Sequence, residues 1–235
     1  MNILLECNHW TTHDDVEAFA QRAATFGATG LCLHEGDSLQ THSAEPAARA
    51  MAIRAEKAGT PIRCLKVIKP FPLTLIHADR RDTSQLRGAV CECIHRAHWL
   101  GATTLAISFI APATATDAER HSALIDHLLY LRFEAQRHGV HLAVEAHRDC
   151  ILTSLLETHI ALDRVNSPWI GASIEPSRLT TPIEWIETLT HRLAVIRISA
   201  PSDVDPTTDL RNTLERIHFH GAVIAPFLAA MPPTS

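Results

Sequence analysis

The stretch that decides the fold runs from His141 to Leu179, HLAVEAHRDCILTSLLETHIALDRVNSPWIGASIEPSRL. It holds an apolar strand that ends in Glu145, a helix, and a second apolar strand that ends in Glu175. Two strands joined through a helix lie parallel, with the helix covering one face. Two carboxylates at the carboxyl ends of neighbouring strands are costly unless something uses or compensates them. They mark the place to look for chemistry.

The same alternation continues in both directions. Strands are expected at 2–7, 30–35, 61–68, 103–109, 141–147, 169–174, 193–199 and 222–228. Val16, Phe19, Ala20, Ala23 and Phe26 recur at the helical period, and Gly27 stops that helix. An alanine-rich helix over 45–57 closes at Gly59. Asp82 to Gln85, Thr116 to Glu119, Ser154 to Glu157 and Thr181 to Glu184 read as caps that start four further helices, the last with a first-turn proline, Pro182. A seventh helix is expected over 206–219.

Eight such strands separated by amphipathic helices make a parallel sheet covered on its outside, the count of a closed (β/α)8 TIM barrel. At 235 residues the chain forms one domain over 1–235, near the ~250 residues usual for that barrel. No G-x-G-x-x-G follows the first strand, so a dinucleotide-binding sheet has no support. Few residues follow the eighth strand, so the last helix is read as missing or truncated. A bare flank would expose apolar strand surface, and a homo-oligomer or other partner subunit is expected to cover it.

The composition narrows the function. Hydrophobic residues are 46% and charged residues 20%, and the net charge is −5, which offers no basic field for nucleic acid. No apolar run approaches the ~20 residues of a membrane span, and the start MNILLEC does not read as a signal peptide, so a cytoplasmic location is expected. The six cysteines lack paired spacing, and Cys7, Cys32 and Cys64 fit strands as small hydrophobes. Most of the 16 histidines, among them His95, His98, His121, His127 and His138, fall on helices and read as solvated faces. His218 and His220 look like a metal pair but stand at the start of the last strand, where helix-end capping explains them.

Chemistry in this architecture gathers where strands end and helices begin. Those ends carry His9, His34, Glu35, Lys66, Ser108, Glu145, His147, Arg148, Glu175, Arg178, Arg197, Ser199 and Pro226. Lys66, between Leu65 and Val67, reads as an inward salt-bridge partner or as a base.

The opening stretch resembles the xylose isomerase-like TIM-barrel family, the sugar phosphate isomerases and epimerases related to endonuclease IV. In that family a strand ends in a metal-binding Glu, often as E-N-H, and the next carries D-x-x-H. The matching residues here read Glu145-Ala146-His147 and Glu175-Pro176-Ser177-Arg178. The resemblance implies four metal ligands: Glu145, then Glu175 in place of Asp, then a position taken by Arg197, and a last one at Pro226. It also implies that the two glutamates move protons between sugar carbons while a metal polarises the oxygens.

One ligand is kept, one is altered and two are replaced, so two readings of the mouth stay open. Glu145 and Glu175 hold a divalent metal (Mn, Mg, Co or Zn) with help from His147 or from His34 or His9. Alternatively, Arg178 and Arg197 pair with Glu175 and Glu145 where the cation sits in the family. The expected function is a sugar isomerase/epimerase-like protein acting on a sugar or sugar-phosphate-like substrate by proton transfer, with Glu145 and Glu175 catalytic. His34, Lys66, His147, Arg148, Arg178 and Arg197 are expected to bind that substrate. The alternative is an inactive barrel that binds a metabolite or serves in assembly. Hydrolysis of DNA fits neither the ligands nor the charge.

Overall fold

The computed structural model describes residues 2–7, 13–35, 44–75, 80–199 and 209–226. Eight parallel strands close into a barrel in sequential order: β1 (Asn2–Cys7), β2 (Gly30–Glu35), β3 (Ile62–Val67), β4 (Thr104–Ile107), β5 (His141–Ala146), β6 (Ile170–Ile174), β7 (Leu193–Arg197) and β8 (Ala222–Pro226). Pairing of β1 with β8, Ile3 opposite Val223 and Glu6 opposite Pro226, completes the circle. Among the described residues seven α-helices lie between them: α1 (His13–Thr25), α2 (Glu45–Lys57), α3 (Arg80–Trp99), α4 (Asp117–His138), α5 (Leu155–Val165), α6 (Pro182–Leu189) and α7 (Asp209–Arg216). The TIM barrel expected from the alternation is the fold. Among the described residues no helix is long and apolar enough to cross a membrane.

The helix signals worked where side chain and backbone could close on each other. Thr116 and Ser154 both form reciprocal capping boxes, with Glu119 and Glu157. Gly139 ends α4 at φ 66, a conformation that favours glycine. Two expected caps differ. α3 starts at Arg80, so Asp82 sits inside its first turn, where it complements the helix dipole. Thr181 makes no side-chain cap bond, although Pro182 opens α6 as expected. The fourth strand breaks at Ser108, and Phe109–Ile110 pairs with Phe71–Pro72 as a separate two-stranded ribbon.

Side chains alternate across each strand and divide the interior in two. Leu5, Leu31, Leu33, Leu65, Leu105, Leu142 and Val223 face outward into the larger core beneath the helices. Leu4, Cys32, Cys64, Ala106, Ala143, Val195, Ala222 and Ile224 fill the lumen. Two residues further along each strand, the inward positions are Glu6, His34, Lys66, Ser108, Glu145, Ser173, Arg197 and Pro226. A small-residue apolar plug thus carries a polar layer at the carboxyl end of the barrel. Register alone puts the chemistry there.

On the flank where β8 pairs with β1, Leu5 and Val223 are buried, and Ile3 is 38% exposed. The apolar surface expected to require a covering partner is therefore small on the described strands. Residues 227–235, including the expected end of the last strand and the tail, lie outside the described residues.

Candidate functional site

Three carboxylates (Glu6, Glu145 and Glu175) and five cationic or imidazole side chains (His34, Lys66, His147, Arg178 and Arg197) meet at the carboxyl end of the barrel. Glu6, on β1, is buried, and its Oε1 lies 2.7 Å from His34 Nε2 and 3.0 Å from Arg197 Nε. Arg197 also reaches Glu175 Oε2 at 3.2 Å through Nη1, so one guanidinium bridges β1 and the end of β6. Ser177 and Ser199 donate their hydroxyls to Glu175 Oε1. Burial pushes the Glu6 carboxyl up, but the His34 hydrogen bond and the Arg197 charge outweigh it and hold it at about 2, below the ordinary 4.5.

The second group centres on Glu145. Lys66 Nζ lies 2.8 Å from Glu145 Oε1, and both side chains are largely buried. Burial raises this carboxyl as well; His147 and Lys66 pull harder and bring it to about 2. Lys66 is the nearer of the two, since His147 Nε2 at 3.8 Å from Glu145 Oε2 lies beyond hydrogen-bond reach. The His147 ring has further neighbours. Arg178 Nη1 donates to Nε2 at 3.1 Å, the Asp149 backbone N–H donates to Nδ1 at 3.2 Å, and Cys150 Sγ lies 2.8 Å from Nε2. A neutral imidazole has one acceptor nitrogen, so Arg178 and the Asp149 amide compete for it. Arg178 also pairs with Asp149. The Cys150 thiol is pushed up to about 12 by burial, with the Glu145 charge adding to it.

The structure brings together His34, Lys66, Glu145, His147, Glu175, Arg178 and Arg197. Lys66 points into the barrel as the salt-bridge partner. Arg148 stands apart, with its side chain 83% exposed. Glu35, one residue from His34, faces outward to Arg96 and Cys93 on α3. His9 lies outside the described residues. The pairing expected for the arginines is corrected: Arg197 holds Glu175 and Glu6, Arg178 holds Asp149, and Lys66 holds Glu145. From β7, Arg197 reaches across to Glu6 on β1 and to Glu175 at the end of β6. Glu6, Asp149 and Cys150 were missed, and Glu6 carried the same signal as Glu145, a carboxylate inside an apolar strand.

Cavity size points elsewhere. A cavity of about 890 Å³ opens at the amino-terminal end of the strands between Asn2, Arg63, His141, Arg192 and His220. None of the expected site residues lines it. The polar layer is the better candidate because it joins depressed carboxylates to buried cations at the end where this architecture performs chemistry.

Residues 20–224 match the family of xylose isomerase-like TIM barrels. The chain belongs to that family. No curated protein matches it. Among solved structures, D-psicose 3-epimerase with D-tagatose from Clostridium cellulolyticum H10 superposes with a TM-score of 0.80 at 12% identity, covering 96% of this chain and 84% of the other. The IolI protein with a binding zinc atom gives 0.73 at 13%, covering 96% and 88%. AP endonuclease, family 2, from Brucella melitensis gives 0.72 at 16%, covering 96% and 92%. At these identities the likeness is one of fold.

The resemblance to this family implies metal-ligand positions at Glu145, Glu175, Arg197 and Pro226. This set fits a divalent cation poorly. Both carboxylates already face a side-chain cation, Arg197 would bring like charge to the ion, and proline has no donor side chain. Glu145, His147 and Cys150 form a different set, with donor atoms within 4.8 Å of one another. Oxygen, nitrogen and sulfur together suit zinc better than magnesium or manganese, but the thiol must first lose a proton held to about 12.

Proposed function

We propose that the protein is a sugar isomerase/epimerase-like barrel that acts on a small hydroxylated, anionic substrate by proton transfer, at a mouth whose family metal site is degenerate. The observation that carries this reading is the buried Lys66–Glu145 pair, 2.8 Å apart, with His147 beside it. Abstraction of a proton next to a carbonyl needs a base, a proton carrier and positive charge where the enediolate oxygen develops. Glu145, His147 and Lys66 supply one each.

At about 2, Glu145 is a weak base. A substrate oxygen that draws Lys66 toward itself removes the nearest positive charge and lifts the carboxyl toward its ordinary range. The same movement places the ammonium on the oxygen that becomes negative. Glu175 is the second carboxylate for a proton returned from the other side. Arg178, Arg197 and His34 offer donors to a phosphate or carboxylate on the substrate, and Arg148 stands at the rim. This layout dispenses with Mn, Mg, Co or Zn at the mouth.

A second reading is favoured by the completeness of the pairing: Glu6 and Glu175 share Arg197, and Glu145 has Lys66. A closed charge network of this kind suits a barrel that binds a metabolite or serves in assembly without catalysis. Proton exchange separates the two. Aldoses, ketoses, sugar acids and sugar phosphates are incubated with the protein in D2O, with chelator, and followed by proton NMR. The expected result is loss of the signal at a carbon beside the carbonyl of at least one compound, abolished in Glu145→Gln. Binding seen by ligand-observed NMR with no exchange in any compound, with or without added Mn, Co or Zn, would overturn the catalytic reading.

A further inference from the structure

A second constellation of ligating side chains lies outside the barrel wall, where α3 and α4 run side by side. His95 comes from α3, and Glu134 and His138, one helical turn apart and therefore on one face, come from α4. Their donor atoms lie within 4.8 Å of one another. The two rings approach to 4.4 Å between centroids. All three residues are half-buried, in a shallow cleft of about 530 Å³ that Cys91, Tyr130 and Arg137 also line. The expectation that these histidines form solvated faces does not hold here.

The spacing identifies what the cluster suits. His95 Nε2 and His138 Nε2 stand 3.8 and 3.6 Å from the same Glu134 oxygen, Oε2. Both separations exceed a hydrogen bond, for which ~2.7–3.2 Å is usual. They are close to the edge of a tetrahedron around zinc, about 3.4 Å for bonds of about 2.1 Å. Among the described residues the ion-pair partners of Glu134 are these two imidazoles; neither lysine nor arginine takes it. His98 adds a second tie between the two helices beside the cluster: its Nδ1–H donates to the His138 carbonyl at 2.9 Å and its ring sits 5.3 Å from the His138 ring.

We infer that His95, Glu134 and His138 form a binding site for a transition-metal ion of the zinc class, clipping α3 to α4 on the outer wall. Two imidazoles and one carboxylate are donors that favour zinc over magnesium or calcium. The fourth position falls to water or to Cys91, which lies one turn before His95 on the same face of α3 and is half-buried. The ion adds a further tie between two helices already joined by the Arg87–Asp126 ion pair and the His98–His138 hydrogen bond, so it acts on stability, separately from the mouth.

Zn2+ is titrated into the full chain against a chromogenic competing chelator. The comparison covers wild type, the mouth variant Glu145→Gln/Cys150→Ser, and the flank variants His95→Ala/His138→Ala and Glu134→Gln. One equivalent is expected to bind wild type and the mouth variant, while each flank variant loses at least about tenfold in affinity and Mg2+ does not compete. Circular dichroism checks that every variant keeps its helices, and Glu134→Gln, nearly isosteric, serves if the double variant does not fold. No zinc bound to wild type, unchanged affinity in Glu134→Gln, or loss of binding in the mouth variant alone would overturn the inference.

Discussion

The mouth and the outer flank hold similar side chains, yet they solve the problem of a carboxylate among imidazoles in opposite ways. At the mouth, Glu6, Glu145 and Glu175 each lie against a fixed cation, Arg197 or Lys66, and the imidazoles His34 and His147 come in addition. On the flank, Glu134 faces two imidazoles and no lysine or arginine among the described residues. A permanent cation leaves little for a metal to gain, while a carboxylate between two imidazoles is a ligand set in waiting. The family match shows the fold, and this contrast supports the proposal that the family's metal chemistry is not carried over by position.

The largest effect expected is at the mouth. Lys66→Met leaves Glu145 buried without its nearest cation and costs about 3–5 kcal/mol by urea denaturation. Glu134→Gln on the flank costs under about 1 kcal/mol in the absence of metal. Equal costs would erase the contrast. The acid limb of stability tests the same carboxylates. Glu6 and Glu145 are depressed from 4.5 to about 2, so their contribution is complete above pH 4.5 and is lost as pH falls toward 2. Each accounts for about 3 kcal/mol over that window. Glu6→Gln is expected to flatten the limb by its share, and an unchanged profile in the variant would break the argument.

Zinc sharpens the comparison from the other side. At a hundredfold excess over its Kd it stabilises wild type by about 2.7 kcal/mol, seen as a rise in Tm. That rise persists in Cys150→Ser and vanishes in His95→Ala/His138→Ala. The smallest effect belongs to His98→Ala, which removes one hydrogen bond to the His138 carbonyl and costs about 1 kcal/mol or less by urea denaturation.

How much of this was legible in the sequence follows from the range of each interaction. Glu145, Glu175 and Lys66 stood out because a charge beside an apolar strand interrupts a local pattern, and strand parity then fixes which way it points. Glu6 sits in Leu4-Leu5-Glu6-Cys7 with that same signal and, like Glu145 in β5, at the same place, one residue before the end of its strand. Its partner Arg197 is 191 residues away, where local periodicity has nothing to say. The Glu134–His138 spacing was visible on one helix. That His95 completes it depends on how α3 and α4 are rotated against each other. His127 shows the same limit: it is buried against Thr74, not solvated, because the ribbon segment folds over α4.

Anomalous X-ray scattering at the zinc edge, from crystals grown with one equivalent of Zn2+, tests the division between the two regions most directly. The expected map has its peak between His95, Glu134 and His138 and none within bonding distance of Glu145. A peak at Glu145, His147 and Cys150 with an empty flank would contradict it, and would return a metal to the mouth.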